Sequence, residues 1–198
     1  DALAGEGLAV ECPLVGPHQA INIQTAEAAL MATAGDNGGI GPAGVRLDPR
    51  RVREGIRSVR WPGRFEVVST EPIVVVDGAH CPLSAAALAA TFRLVYGDRP
   101  VVLVSGFLRD KAAWRIASAL VEGLRPSLVV ACPPPCPRAA DCDSIARAYR
   151  DAGAGQVVCA DGIETALSTA IASLPTGGAI VVTGSLFMAG PARALFGL

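Results

Sequence analysis

The chain has 198 residues, 17 basic against 18 acidic, for a net charge of −1. It therefore lacks the basic surplus with which proteins grip a nucleic-acid backbone. Apolar residues are 51% and charged residues 18%, which excludes a disordered chain and points to about one domain plus a smaller piece. No apolar run approaches the ~18 residues of a membrane span, and the segment after Asp1 is not a signal peptide. The chain thus reads as cytoplasmic, with neither nucleic acid nor membrane as a partner.

In chain order, residues 8–12 read as a short strand. A helix follows from Pro17, with Ile21, Thr25, Ala28, Ala29 and Ala32 on one face. The glycine-rich stretch 35–44 looks like a phosphate loop but has no lysine, so it reads as a connection. A short basic helix spans Asp48–Ser58, with Pro49 in its first turn. Two strands are predicted at 65–69 and 73–77. Leu83, Ala86, Ala87, Ala90 and Leu94 then mark a helix.

Further strands fall at Val101–Ser105, Leu128–Cys132, Gln156–Cys159 and Ala179–Thr183. Between them, helices are marked by Trp114, Ala117, Leu120, Val121 and Leu124, and by Ile145, Ala148, Tyr149 and Ala152. Ile163, Ala166, Leu167, Ala170, Ile171 and Leu174 mark the next helix, with Asp161 and Glu164 as a capping arrangement. A last helical stretch contains Gly190-Pro191. Strands alternating with helices predict an α/β fold, a mostly parallel sheet with helices on both faces, over residues 65–198. Residues 1–45 are too little for a core of their own and read as the tail of another domain, with 46–64 as linker. The whole reads as part of a longer or split protein.

Ligands of open α/β sheets bind beyond the carboxyl ends of the strands. Here that edge carries Asp77-Gly-Ala-His80, Gly106–Lys111, Cys132–Cys136, Asp161 and Thr183-Gly-Ser185. Asp77 ends an apolar strand, where a carboxylate needs a partner. It suits either a helix cap or the hydroxyls of a ribose, or a cation. His80 suits binding an amine or taking its proton, or a structural bond to backbone. Arg64 follows Trp-Pro-Gly, a stiff approach, and with Arg57 and Arg60 makes either an anion-attracting patch or a solvated surface. His18, Gln19 and Asn22 share a helix face, where Asn22 reaches phosphate or all three serve as caps. Ser185 is an N-cap candidate.

Lys111, the only lysine, is followed by Ala112, so the chain holds no Walker A motif. There is no nucleophile elbow and no dinucleotide fingerprint. Among six cysteines, Cys132, Cys136 and Cys142 lack the second pair of a zinc site. No metal site is read from them, and they read as free thiols in a reducing compartment.

Five segments, taken in order, resemble one family. They are Gly16-Pro-His-Gln-Ala-Ile-Asn22, Trp61-Pro-Gly-Arg-Phe-Glu66, Asp77-Gly-Ala-His-Cys-Pro82, Gly106-Phe-Leu-Arg-Asp-Lys111 and Gly184-Ser-Leu-Phe187. They are similar to motifs of the folylpolyglutamate synthase and dihydrofolate synthase family, within the muramyl-type amide ligases. The resemblance implies a carboxyl-terminal Rossmann-like domain preceded by a fragment of a P-loop ATPase domain, most of which is missing. It implies ATP, with magnesium held by the missing domain, and L-glutamate joined to folate or dihydropteroate through an acyl phosphate. By motif, Asn22, Arg64 and Asp77 would bind ATP, and His80 and Ser185 would bind glutamate. No certain catalytic residue lies in this portion, and the chain alone is expected to be inactive.

Two departures stand out: Cys81 replaces the family asparagine, and Gly190-Pro191 is expected to interrupt the last helix. A degenerate, non-catalytic nucleotide- or amino-acid-binding module is the alternative. A third reading keeps the superfamily with a peptidoglycan precursor or a cyanophycin-like polymer as substrate. The Asp-Gly-Ala-His wording favours folate.

Overall fold

The computed structural model describes residues 11–33 and 48–198. The predicted connection at 35–44, and residues 8–10 of the predicted first strand, lie outside the described residues; Glu11 and Cys12 form no strand. The chain divides into two compact units, Asp1–Trp61 and Pro62–Leu198.

The first unit contributes α1 (His18–Thr33) and α2 (Pro49–Ser58). Asp48 caps α2 by accepting the Arg50 N–H at 2.9 Å, with proline in the first turn. The predicted inner face of α1 is corrected here: Ile21 is 64% exposed, and Thr25, Ala28, Ala29 and Ala32 are also exposed. Periodicity found the helix but not the side it buries. Ile23, Ala26 and Leu30 instead face an apolar hollow of about 570 Å³ shared with Val52, Ile56 and Val59 of the α2 region.

The second unit runs β1 (Glu66–Thr70), β2 (Ile73–Val76), α3 (Pro82–Tyr96), β3 (Val101–Ser105), α4 (Ala113–Leu124), β4 (Leu128–Ala131), α5 (Cys142–Asp151), β5 (Val157–Cys159), α6 (Ile163–Ala172), β6 (Ala179–Thr183) and α7 (Leu186–Ala194). The strands form one sheet in the order β1-β2-β6-β3-β4-β5. β1 pairs antiparallel with β2 and every other pairing is parallel. β3 and β6 are buried at every position, as expected of central strands covered on both faces.

Side chains alternate across the sheet. Val74, Val76, Val102, Val104, Ile180 and Val182 form one core with Ala166 and Leu167 of α6 and Met188 and Ala192 of α7. The intervening Val75, Leu103 and Val181 are buried on the opposite face, where α3, α4 and α5 pack side by side.

Several helix details correct the sequence reading. In α3 the buried side is Ala85, Leu88, Ala89 and Phe92, while Leu83 is 82% and Leu94 69% exposed. A Cβ on Gly123 of α4 would lie 2.5 Å from the Ala89 Cβ, so only small residues fit at that point of the α3–α4 crossing. Gly162, not Asp161, caps α6, and no side-chain bond closes its first turn. α7 continues through Gly190-Pro191 instead of breaking. Cys142 and Cys159 form a disulfide with Cα atoms 5.9 Å apart, so the cysteines are not all free thiols. The topology sets the start of α5 beside the end of β5, a proximity that spacing alone does not reveal.

A buried hydrogen bond ties α5 to the sheet: Tyr149 Oη donates to Ser105 Oγ at 2.6 Å, and the ring stacks on Phe107 at 5.4 Å between centroids. Tyr149→Phe should lower unfolding stability by ~1 kcal/mol, read by urea titration. Burial, opposed in part by that bond, pushes the Tyr149 hydroxyl well above its ordinary value of 10.0. The sign follows: the unfolded chain releases this proton first. The stability contributed by the neutral phenol is therefore intact below about pH 10 and declines above it. Tyr149→Phe should reduce that alkaline slope.

Candidate functional site

Three backbone crossings stitch together the carboxyl ends of β2, β6 and β3. Asp77 N–H donates to Val182 O at 2.9 Å, Gly184 N–H to Ala79 O at 3.0 Å, and Gly106 N–H to Thr183 O at 3.3 Å. Contacts this close need glycine. A Cβ on Gly106 would meet the Cys132 carbonyl oxygen at 2.0 Å. Gly184, at φ +102, would place its Cβ 2.5 Å from Gly106 O.

Asp77 is half-buried and uses both oxygens: Oδ2 accepts the Phe65 N–H at 2.7 Å and Oδ1 the Ala79 N–H at 2.8 Å. It does not cap α3; Cys81 does, with its Sγ accepting the Ser84 N–H at 3.5 Å. Asp77 therefore fixes the turn bearing Arg64 to the loop bearing His80. Arg64 lies between Gly63 (φ 70) and Phe65 (φ 44).

His80 is exposed, and its Nδ1 donates to Gly78 O at 2.8 Å. A carbonyl only accepts, so Nδ1 carries the proton and, in the neutral ring, Nε2 is the acceptor. Ser185 is 2% exposed and caps α7, its Oγ accepting the Phe187 N–H at 3.1 Å. Arg64, Asp77, His80 and Ser185 thus gather on one edge of the second unit. Asn22 belongs to the first unit, where its Nδ2 donates to Gln19 Oε1 at 2.8 Å.

Sequence reading missed what holds this edge. Glu66 Oε2 accepts both the Gly63 N–H at 2.6 Å and Arg193 Nε at 2.7 Å. Glu66 stood inside a quoted motif, but nothing in the sequence pointed to Arg193, 127 residues away. Next door, the 106–111 loop is laced to 137–140: Arg109 N–H donates to Arg138 O at 2.9 Å and Ala140 N–H to Phe107 O at 2.9 Å.

Residues 63–186 match the family described as Mur ligase, glutamate ligase domain. The chain belongs to that family. As a Mur ligase glutamate ligase domain it has named relatives. It is 39% identical over 94% of its length to the probable bifunctional folylpolyglutamate synthase/dihydropteroate synthase of Halobacterium salinarum, covering 21% of that protein. It is 35% identical over 93% of its length to the dihydrofolate synthase/folylpolyglutamate synthase of Mycobacterium tuberculosis, covering 39% of it.

Among solved structures, folylpolyglutamate synthase of Mycobacterium tuberculosis complexed with ADP superposes with TM-score 0.83 at 34% identity, over 96% of this chain and 42% of that one. E. coli FolC in complex with DHPP and ADP gives 0.77 at 26%, over 95% of this chain and 41% of that one. The chain therefore spans about two-fifths or less of the relatives it matches. No helix among the described residues is long and apolar enough to cross a membrane.

At Cys81, where the resemblance implies an asparagine, a thiol is the N-cap of α3. Hydrogen bonds from the Ser84 side chain and backbone hold this exposed thiol below its ordinary value of 9.0, whereas burial lifts Cys132 to about 11. At pH 8, iodoacetamide should therefore modify Cys81 well before Cys132, as read by peptide mass spectrometry. Sulfur is a weak acceptor and asparagine a strong N-cap, so Cys81→Asn should raise unfolding stability by ~0.5–1 kcal/mol. Equal or lower stability would show that the thiol caps as well as the amide.

Proposed function

We propose that this chain is the carboxyl-terminal part of an ATP-dependent amide ligase that joins L-glutamate to folate or dihydropteroate. The carboxylate of the pterin substrate attacks the γ-phosphate of ATP, forming an acyl phosphate and releasing ADP. The glutamate amine then attacks the acyl carbon, phosphate leaves, and the amine proton passes to a base. The observation that carries this reading is the stitched carboxyl edge, with Arg64, Asp77, His80 and Ser185 gathered on it. The names of the relatives, and their complexes with ADP, support the substrate class.

In this reading, the Arg64 guanidinium neutralises and binds ATP phosphates. By its motif, Asp77 accepts ribose hydroxyls. His80 Nε2 receives the glutamate amine, and the loop at Ser185 receives a glutamate carboxylate at a helix N-terminus. Magnesium supplies charge neutralisation on the transferring phosphate. Among the described residues no three His, Cys, Asp or Glu side chains come together to hold a metal. In this reading magnesium would be held by the ATPase domain of the ligase, as the resemblance implies.

The sole lysine, Lys111 followed by Ala112, favours a second reading, a binding module that hydrolyses nothing. One experiment separates them. The purified 198-residue chain should show no folate-dependent ATP hydrolysis, and the whole protein with its P-loop portion should show it. Hydrolysis by the chain alone would refute the division of labour. A whole protein that binds ATP but never turns it over would support the module.

A further inference from the structure

The turn that presents Arg64 is held in part by residues with no assigned ligand role. On one side, Gly63 N–H donates to Glu66 Oε2 at 2.6 Å and Gly63 O accepts from Gly78 N–H at 2.7 Å. On the other, Phe65 N–H donates to Asp77 Oδ2, and the Phe65 ring, 3% exposed, lies 6.5 Å from that of Tyr96. Both flanking residues have left-handed backbone. For Phe65 that conformation is unfavourable and persists only because its surroundings impose it.

Glu66 cannot serve alone. Its Oε2, with the side chain only 23% exposed, is charge-paired to Arg193 Nε at 2.7 Å. Arg193 rides on the last turn of α7, the helix that Ser185 opens. One helix therefore reaches the candidate glutamate loop at its start and the candidate phosphate-binding turn at its end.

We propose that Glu66 and Arg193 are positioning residues: through Gly63 they set the backbone from which Arg64 reaches phosphate, and α7 ties that placement to Ser185. This rests on the reading of Arg64 as a phosphate contact. Phosphoryl transfer depends almost wholly on positioned charge. A displacement of ~1 Å in such a group costs on the order of 10²-fold in rate.

The test is a double-mutant cycle in the complete ligase that contains this chain, with kcat and KM measured for ATP, folate and glutamate. Arg64→Ala and Glu66→Ala should each lower kcat by about 10²-fold, with KM for folate and glutamate changed by less than about twofold. The double variant should be no slower than Arg64→Ala by more than about threefold, because Glu66 acts only through Arg64. Arg193→Lys, which keeps the charge, should retain more activity than Arg193→Ala.

Losses that multiply to about 10⁴-fold in the double variant would overturn the proposal, since they would show Glu66 acting independently. If Glu66→Ala does not fold, Glu66→Gln carries the same cycle. It keeps an acceptor for the Gly63 N–H and removes the charge facing Arg193. The cycle is read in parallel on the dissociation constant for ATP, which does not depend on the acceptor substrate. A wild-type protein that binds ATP but adds no glutamate to folate would sink the functional reading alone, and the cycle on ATP affinity would still decide the positioning.

Discussion

Gly184→Ala is expected to remove a large share of the stability of the second unit. The residue sits at φ +102, and an added Cβ would lie 2.5 Å from Gly106 O, 2.7 Å from Ser105 Oγ and 3.1 Å from Gly106 N. Two of these three atoms are backbone and cannot rotate away. The left-handed conformation costs an alanine ~1 kcal/mol or more, and overpacking a crossing of two chain segments adds ~1–3 kcal/mol. A loss of about 4 kcal/mol is large against the ~5–15 kcal/mol of a whole domain. Gly153→Ala is the control. It also has positive φ, +88, but nothing lies within 4 Å of its Cβ, so it should cost only ~1 kcal/mol. Equal urea midpoints for the two variants would show that the close crossing of β6 and β3 loops is not tight.

Asp77→Asn is expected to have the second largest effect. The carboxylate accepts two backbone N–H groups on different segments, Phe65 with Oδ2 and Ala79 with Oδ1. An asparagine has one acceptor oxygen and would turn its NH₂ toward the other donor. One N–H is then left facing a donor in a half-buried site, a cost of ~1–3 kcal/mol. The loss also frees the turn that holds Arg64, so in the whole ligase ATP affinity should fall along with stability. Thermal unfolding and ATP titration on the same sample check both. Wild-type stability in Asp77→Asn would mean that the carboxylate does not fasten the turn.

The inner strands were legible because they are covered on both faces and therefore read as unbroken apolar runs, as in Val101–Ser105 and Ala179–Thr183. Helix positions were legible too, but not always their inward faces. In α3 Ala85 and Ala89 are buried beside Leu88 and Phe92, while Leu83 and Leu94 stay outside, so apolar character alone did not tell the two sides apart. Trp114, chosen as an inward marker of α4, is 59% exposed.

At the candidate site, residues that act through local bonds could be found from motif and strand end: Asp77, His80 and Ser185 all bond within two residues of themselves. The Glu66–Arg193 pair and the Cys142–Cys159 disulfide join segments that meet only through the topology, and residue spacing carries no trace of them.

The most direct test of the central claim follows isotope-labelled L-glutamate in the complete protein, supplied with ATP and either dihydropteroate or a folate. The expected result is a new amide between label and pterin substrate, with one ADP and one phosphate formed per bond and the yield collapsing in Arg64→Ala. Label that stays free while ATP is bound, or that appears on a peptidoglycan precursor instead, would contradict it.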